Sequence, residues 1–512
     1  MLEFSTVESN YWMLGQRPKV ETLGQLMDVL AIQYGDRVLV DEYGGRALTY
    51  IEAAELVERI SNAVAEVVNP NDRVVLHLPN GYHLFLACLG VARAGAVAVP
   101  INDQLTDIEV ERIVAECEPA LVVTAIEQIV GELGEPIAYV DQSDTAAVFY
   151  TSGTTGRPKG VELSHKALLS RLTPLTMLSG LGGVEAVYGL PLSHLMGFIF
   201  ALSMSMAGVK VNFFPRFDAE AVLDAIESRR PQLFVGVPTM FRMLLEAGAD
   251  SRDLHSIRVW FSSADAMPQD LARRFQDFGA MFTFPNGVSF GSAAFIEGYG
   301  MVELGGAVAA KVLPPLPFKI GLVPEQIRQL GDSIGVGLPF GGATLKVAGS
   351  NGAEVVPGVV GELWVKSPGS LKGYFRDRVA TDRILDGDGW VRTGDLARRG
   401  PCGLIYFVGR EKDVIKSGGY SIYAREVEEV LEEHPLVMEA SVVGLEDRKL
   451  GEVPAAVVRI VQGSDLDETR LLDWCKDRLA HYKTPRKIRI VAELPRTETA
   501  KVRRGQLRSL FE

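Results

Sequence analysis

Apolar positions in the first half of the chain switch between a helical period and short continuous runs at close intervals, the pattern of an α/β architecture with mixed, largely parallel sheets. Thr49-Tyr50-Ile51-Glu52 reads as a capping box ahead of the helically periodic AAELVERISNAVAEVV, and the strand-like Arg73 to Leu78 follows. A helical stretch from Tyr82 to Arg93 leads into the strand AVAVP, and another from Asp107 to Cys117 leads into ALVVTA. TAAVFY, from Thr145 to Tyr150, reads as a buried strand. Helix is predicted over Ala219 to Ser228, strand over Gln232 to Gly236, and a further apolar helix from near Thr239. Lys311 to Gly331, dense in Pro and apolar residues, reads as a surface loop or lid.

The pattern changes near Arg410. A charged, glycine-bearing connector, GREKDVIKSGGYSIYAREVE, precedes a final segment of about a hundred residues. Its predicted order is helix from Ala424 to Glu433, strands from Glu439 to Gly444 and Ala455 to Val461, and helix from Asp467 to Ala480. That order describes a small α+β domain after a large, multi-part N-terminal one.

Composition narrows the functional classes. The 512 residues include 52 Lys and Arg against 65 Asp and Glu, a net charge of -13 that disfavours nucleic acid and anionic membranes as partners. Cys88, Cys117, Cys402 and Cys475 are scattered without a C-x-x-C pair, which suggests neither zinc nor a disulfide framework and fits a reducing cytoplasm. The N-terminal stretch lacks the basic and apolar regions of a secretory signal. The most apolar run, Leu195 to Val209, is shorter than the roughly 20 residues a membrane span needs, and is predicted to be a buried helix.

The chemistry-bearing stretch is YTSGTTGRPKG, Tyr150 to Gly160. Glycines let backbone N–H groups approach an anion, and hydroxyls and a lysine add donors, so the stretch reads as a phosphate loop leaving the end of a buried strand, where open α/β sheets bind ligands. It is not a Walker loop. Pro158 stands where the second glycine belongs, and Gly160 replaces the metal-binding hydroxyl.

The stretch resembles the signature loop of the adenylate-forming superfamily, which includes acyl-CoA synthetases, luciferases and the adenylation domains of peptide synthetases. PLSHLMG from Pro191, SSADAMP from Ser262, GYGMVE from Gly298, GELWVKSPGSLKGYFRD from Gly361, WVRTGD from Trp390, GREKDVIKSGG from Gly409, HYKTP from His481 and PRTETAK from Pro495 resemble that family's motifs in its order. The resemblance implies ATP-dependent conversion of a carboxylic acid to an acyl-AMP with release of pyrophosphate, then transfer to a thiol. It assigns the β- and γ-phosphates to Thr151, Ser152, Gly153, Thr154, Thr155, Gly156 and Lys159, and Mg²⁺ to Glu303, with Thr151 as a second ligand. Tyr299 stacks on adenine in that scheme, with Ser263 and Ala264 along its edge and Gly298, Gly300 and Met301 beside it; Asp395 takes the ribose hydroxyls and Arg410 reaches ribose or phosphate. Lys501 is the adenylation lysine. Domains of 1–409 and 413–512 are joined by a hinge at 410–412 centred on Lys412, which makes the small domain mobile. Ser417, Gly418 and Gly419 line the thiol path, His194 positions the carboxylate, and Met196, Val237 and Met240 belong to the acyl pocket.

Several positions depart from the family pattern. Val302 stands where a Thr is usual, Ser263 for Gly, Ala266 for Pro, Ala424 for Pro and Ala500 for Gly, and Met281 to Phe295 is a longer connection expected to add side chains beside the pocket. The pocket stretches are rich in Met, Phe and Leu and carry no acidic residue around His194, which favours a fatty or aromatic acid over an amino acid. CoA is the first-choice acceptor and an acyl carrier protein the alternative. A non-catalytic acyl- or nucleotide-binding relative is the reading from another class, and the chain is expected to be a monomer or homodimer.

Overall fold

The structure, a computed structural model, describes residues 20–134, 140–151, 158–170, 183–284, 287–315, 335–339, 341–400, 404–496 and 502–511. The chain forms two compact units. One comprises Met1–Val235, Gly300–Ala307 and Ser367–Asp382; the other comprises Gly236–Tyr299, Val308–Lys366 and Arg383–Glu512.

In the first unit, helix Tyr50–Ala65 starts at the expected capping box: the Glu52 N–H donates to Thr49 Oγ1 at 3.2 Å, and the Thr49 N–H donates to Glu52 Oε2 at 2.8 Å. Ala53, Val57, Ile60 and Val64 then fall on one buried stripe. Helices Tyr82–Arg93 and Asp107–Cys117 match their predicted bounds. The apolar run forms helix Leu195–Ala207, buried on nearly every side, with the Phe198 ring 5.3 Å from Phe85 and 5.4 Å from Phe149. Among the described residues no helix is long and apolar enough to cross a membrane, and Cys88, Cys117 and Cys475 are buried free thiols.

A six-stranded sheet carries the glycine-rich stretch. Its order is Gly373–Tyr374, Lys159–Ser164, Thr145–Thr151, Val97–Pro100, Arg73–Leu76 and Leu121–Val123. The last four strands run parallel; Lys159–Ser164 returns antiparallel, pairing Thr151 with Lys159 and Tyr150 with Gly160. The stretch is therefore the loop of a hairpin, unlike the strand-to-helix turn of a Walker loop. Packing accounts for Gly160: an added Cβ would lie 2.8 Å from Val148 Cγ1 and 3.2 Å from the Tyr150 ring.

In the second unit, Val259–Ser263 runs parallel to Ala294–Met301. Thr344–Ala348, Val360–Lys366, Val391–Arg399 and Ile405–Arg410 pair antiparallel in that order. The C-terminal segment has the α+β pattern expected: helices Ala424–Glu432 and Glu468–Lys476, strands Val437–Asp447 and Gly451–Ile460, and three shorter strands in one five-stranded sheet. Adjacent strand residues serve opposite faces. Val442 and Val458 join a core with Val427, Leu431 and Leu471, whereas Val443 and Val457 pack on Leu494 and Leu507.

One expectation needs correction. Lys311 to Leu313 belong to strand Gly306–Leu313, which is held by antiparallel pairing of Ala309 with Pro339 and Ala310 with Leu338; 316–334 lie outside the described residues. The 281–295 connection holds a hairpin of Phe282–Thr283 with Ser289–Phe290, whose Phe282, Phe284, Val288 and Phe290 side chains are exposed, whereas Phe295 at its end is buried and lines a small cavity with Met267, Ala272 and Lys311.

His165, first residue of helix His165–Leu169, is buried and accepts the Leu23 N–H at Nδ1, 3.1 Å away. Burial lowers its pKa to about 4. The unfolded imidazole takes up a proton near pH 6.5, so stability is full above that value and is lost as pH falls toward 4, by on the order of 3 kcal/mol. Urea denaturation at stepped pH should show this fall in the native chain and a shallower one in His165→Gln; equal slopes would exclude the assignment.

Candidate active site

Glu303 and Lys159, which the resemblance assigns to metal and phosphate, converge on one tyrosine of the first unit. Glu303 lies on a 3₁₀ turn, Val302–Leu304, and is buried. The Tyr374 hydroxyl donates to Glu303 Oε1 at 2.8 Å, and the Leu371 N–H donates to the Glu303 carbonyl at 2.9 Å. Lys159 Nζ stands 4.8 Å from the centroid of the same Tyr374 ring. Burial, followed by the Glu303 carboxylate, pushes the Tyr374 phenol well up, so it remains a donor. Gly305 follows the turn in the left-handed region, φ +70, and an added Cβ would lie 2.3 Å from the Gly369 carbonyl oxygen, so only glycine fits.

One buried carboxylate with most of its lone pairs left over among the described residues suits Mg²⁺, which binds through one or two carboxylates, substrate phosphates and water. A protein cage of three or more His, Cys, Asp or Glu is absent among the described residues. Thr151 closes its strand, with Oγ1 donating to the Lys159 carbonyl at 3.4 Å. Ser152, Gly153, Thr154, Thr155 and Gly156 lie outside the described residues, as does Lys501.

His194 caps helix Leu195–Ala207, and its Nε2 lies 3.2 Å from Asn102 Nδ2. Asn102 Oδ1 accepts the Gln104 N–H at 2.9 Å, which turns the amide NH₂ toward the imidazole; Nε2 is then the acceptor and Nδ1 carries the proton. Met196 is half-buried on that helix, whereas Met204 is core.

The second unit holds most of the residues that the resemblance assigns to the nucleotide. Tyr299 donates its hydroxyl to Asp395 Oδ2 at 2.6 Å, and Arg410 Nε stands 3.2 Å from Asp395 Oδ1. Strand register makes Asp395 and Arg410 direct partners. Thr393 to Asp395 form a bulge, since Arg392 pairs with Trp364 and Leu396 with Glu362, and Gly394 has φ +69. Burial and the Asp395 carboxylate push the Tyr299 phenol well above its usual value. Ser263 Oγ donates to the Gly298 carbonyl at 2.8 Å, so the departure from glycine here adds a tie between two parallel strands. Gly298 is required by the Phe261 ring, 2.8 Å from an added Cβ. Gly300 and Met301, which end strand Ala294–Met301, already count with the first unit, while Val237 is the N-cap of helix Pro238–Glu246, on which Met240 is buried.

Lys412 lies on a 3₁₀ turn, Glu411–Asp413; desolvation, helped by Arg410 and opposed by Asp413, lowers its pKa. Ser417 pairs with Tyr420 across a two-residue turn in which Gly418 and Gly419 have φ +56 and +87. Turn geometry alone therefore requires that glycine pair. Sequence reading missed Tyr374 and Asn102 as site residues. Tyr374 lay within the quoted GELWVKSPGSLKGYFRD; Asn102 had no local signal.

A family model described as AMP-binding enzyme matches residues 28–138 and 128–375, and one described as AMP-binding enzyme C-terminal domain matches 426–501. The chain belongs to the AMP-binding enzyme family. It is thus an adenylate-forming enzyme of the acid–thiol ligase class. A feruloyl-CoA synthase of Amycolatopsis sp is 33% identical over 493 residues, covering 92% of this chain and 95% of that protein. An indoleacetate–CoA ligase of Aromatoleum aromaticum is 30% identical over 91% of this chain and 93% of its own length. Among solved structures, ATP-bound MatB from Rhodopseudomonas palustris is similar with a TM-score of 0.81 at 26% identity, covering 95% of this chain and 99% of that one. The o-succinylbenzoate CoA synthetase of Bacillus subtilis, in complex with its acyl-adenylate, has a TM-score of 0.78 at 27% identity, covering 94% and 97%.

Ala264, between Ser263 and Asp265, adopts φ +73, a left-handed conformation that costs an L-residue roughly 1–2 kcal/mol. Ala264→Gly should relieve that strain and raise unfolding stability by about 1 kcal/mol after the entropy cost of glycine. Chemical denaturation reads this directly, and a stability loss would contradict it.

Proposed function

We propose that this enzyme activates an aromatic or comparably apolar carboxylic acid as its acyl-AMP and transfers the acyl group to coenzyme A. The observation that carries the reading is 33% identity across nearly the whole chain to a feruloyl-CoA synthase. Indoleacetate and 2-succinylbenzoate, named for two other relatives, are also aromatic acids. The fatty-acid side of the expectation gains no support from these names, and the aromatic side is carried forward.

In this reading a carboxylate oxygen of the acid forms a bond to the α-phosphorus of ATP, and pyrophosphate leaves with the electron pair of the broken P–O bond. The loop from Thr151 to Gly156 and Lys159 grip the departing phosphates. Glu303, joined by Thr151, holds magnesium; the ion supplies neutralisation of phosphate charge when bound. Asp395 accepts the ribose hydroxyls, Arg410 stays close enough to pair with ribose or phosphate, and Tyr299 flanks the adenine between Ser263, Ala264 and the 298–301 segment. Lys501 stabilises the approaching carboxylate and α-phosphate. His194, oriented by Asn102, positions the acid, whose apolar body lies along Met196, Val237 and Met240.

A thiolate sulfur then attacks the acyl carbon and AMP departs with the electron pair, the thiol proton passing to solvent. Rotation at Lys412, between domains of 1–409 and 413–512, brings Ser417, Gly418 and Gly419 to the thiol path. The scattered free cysteines fit a cytoplasmic enzyme.

ATP–pyrophosphate exchange across aryl and fatty acids tests the substrate class: aryl acids should give the higher kcat/KM, and a preference for long-chain fatty acids would overturn it. A carrier protein accepting acyl groups where free CoA does not would replace the acceptor. Lys501→Ala should reduce acyl-AMP formation at least a hundredfold while sparing thioester formation from supplied acyl-AMP; equal loss of both steps would contradict the division of roles.

A further inference from the structure

Strand Gly373–Tyr374 is only two residues long, yet it touches both phosphate-side groups. Its backbone pairs Gly373 with Glu162 and Tyr374 with Val161, on the strand that begins at Lys159. The Phe375 N–H continues the ladder to the Gly160 carbonyl at 2.7 Å. Its Tyr374 side chain then spans from the Lys159 ammonium, 4.8 Å from the ring centroid, to Glu303 Oε1, 2.8 Å from the hydroxyl. Thr381 fixes the strand in turn, its Oγ1 accepting the Tyr374 N–H at 2.9 Å while donating to the Asp377 carbonyl at 2.8 Å.

The geometry points to Tyr374 as a positioning residue that holds the Glu303 carboxylate for a divalent cation and the Lys159 ammonium for phosphate through two separable contacts of one side chain. This rests on the roles proposed above for Glu303 and Lys159. The hydroxyl occupies one of about four lone-pair sites of the carboxylate, so it fixes the rotamer and leaves the remaining sites for a metal. The ring face offers the ammonium a cation–π contact on one side only, which leaves N–H donors on its other side for phosphate oxygens.

The two contacts can be removed one at a time. Tyr374→Phe keeps the ring under Lys159 and deletes only the hydroxyl; Tyr374→Leu deletes both. Calorimetric titration of the full chain with ATP, with and without Mg²⁺, and with Mn²⁺ at fixed ATP, reads the two functions without turnover. For Tyr374→Phe, cation affinity in the presence of ATP should fall roughly tenfold, the order expected for one hydrogen bond to a charged group, while ATP binding without metal changes less than twofold. For Tyr374→Leu both should weaken.

Thr381→Val, which leaves the phenol in place but releases its backbone, serves as a second variant and should shift cation affinity in the same direction by a smaller factor. Unchanged or tighter cation binding in Tyr374→Phe, or parallel loss of metal-dependent and metal-free binding in that variant, would overturn the assignment. Failure of the unsubstituted enzyme to bind ATP in a Mg²⁺-dependent way would instead overturn the underlying functional reading, so the two failures are told apart.

Discussion

Strand Lys159–Ser164 is hydrogen-bonded along both edges, to Thr145–Thr151 on one side and Gly373–Tyr374 on the other, and the placement of Lys159 beside Tyr374 hangs on that double pairing. The first edge sets where the glycine-rich loop returns and so where Lys159 emerges. The second edge imports a residue more than two hundred positions away and sets the Tyr374 phenol between Lys159 and Glu303. Gly160 is the steric condition for both, because a β-carbon there would collide with Val148 and Tyr150. A residue that looks like a lost metal-binding hydroxyl by comparison with a Walker loop is, in this hairpin, the residue that lets three strands close on one another.

The Tyr299, Asp395 and Arg410 group follows a similar logic with a different device. A bulge at Thr393 to Asp395 breaks the regular alternation of its strand, and the register that follows sets Asp395 against Arg410. Tyr299 completes the set with a phenol that burial and the carboxylate keep protonated. Polar side chains held this tightly lose little freedom on binding a ligand, which is the physical content of preorganisation.

The second unit also carries a chain of buried ion pairs. Arg242 lies 3.2 Å from Glu439 and 3.7 Å from Glu432; Arg496 lies 2.5 Å from Glu439 and donates to Thr239 at 3.1 Å. Arg425 reaches Glu432 at 3.3 Å and Arg504 reaches Glu428 at 2.6 Å. Burial pushes the Glu432 carboxyl up against the pull of Arg425 and Arg242. Such networks add little net stability compared with apolar packing, but removing one member leaves a buried charge and costs on the order of 3–5 kcal/mol. They tie the helix carrying Val237 and Met240 at its start to the C-terminal sheet and to Arg496, five residues before Lys501.

Local chemistry determined the elements of this protein. The capping box at Thr49, the helical stripe after it, the apolar run at Leu195 and the alternating strands of the C-terminal sheet all express interactions between residues close in sequence, so each was legible there. Motif order likewise exposed Glu303, Asp395 and Arg410 as candidates. Tertiary structure decided which of these meet, because register, bulges and long-range strand pairing depend on packing between segments that no local pattern encodes. Tyr374 stood in plain view within a quoted motif, but its place between Lys159 and Glu303 exists only once a two-residue strand pairs with the far end of a hairpin. Exposure of the 282–290 aromatics and the bond between Asn102 and His194 were decided at that same level.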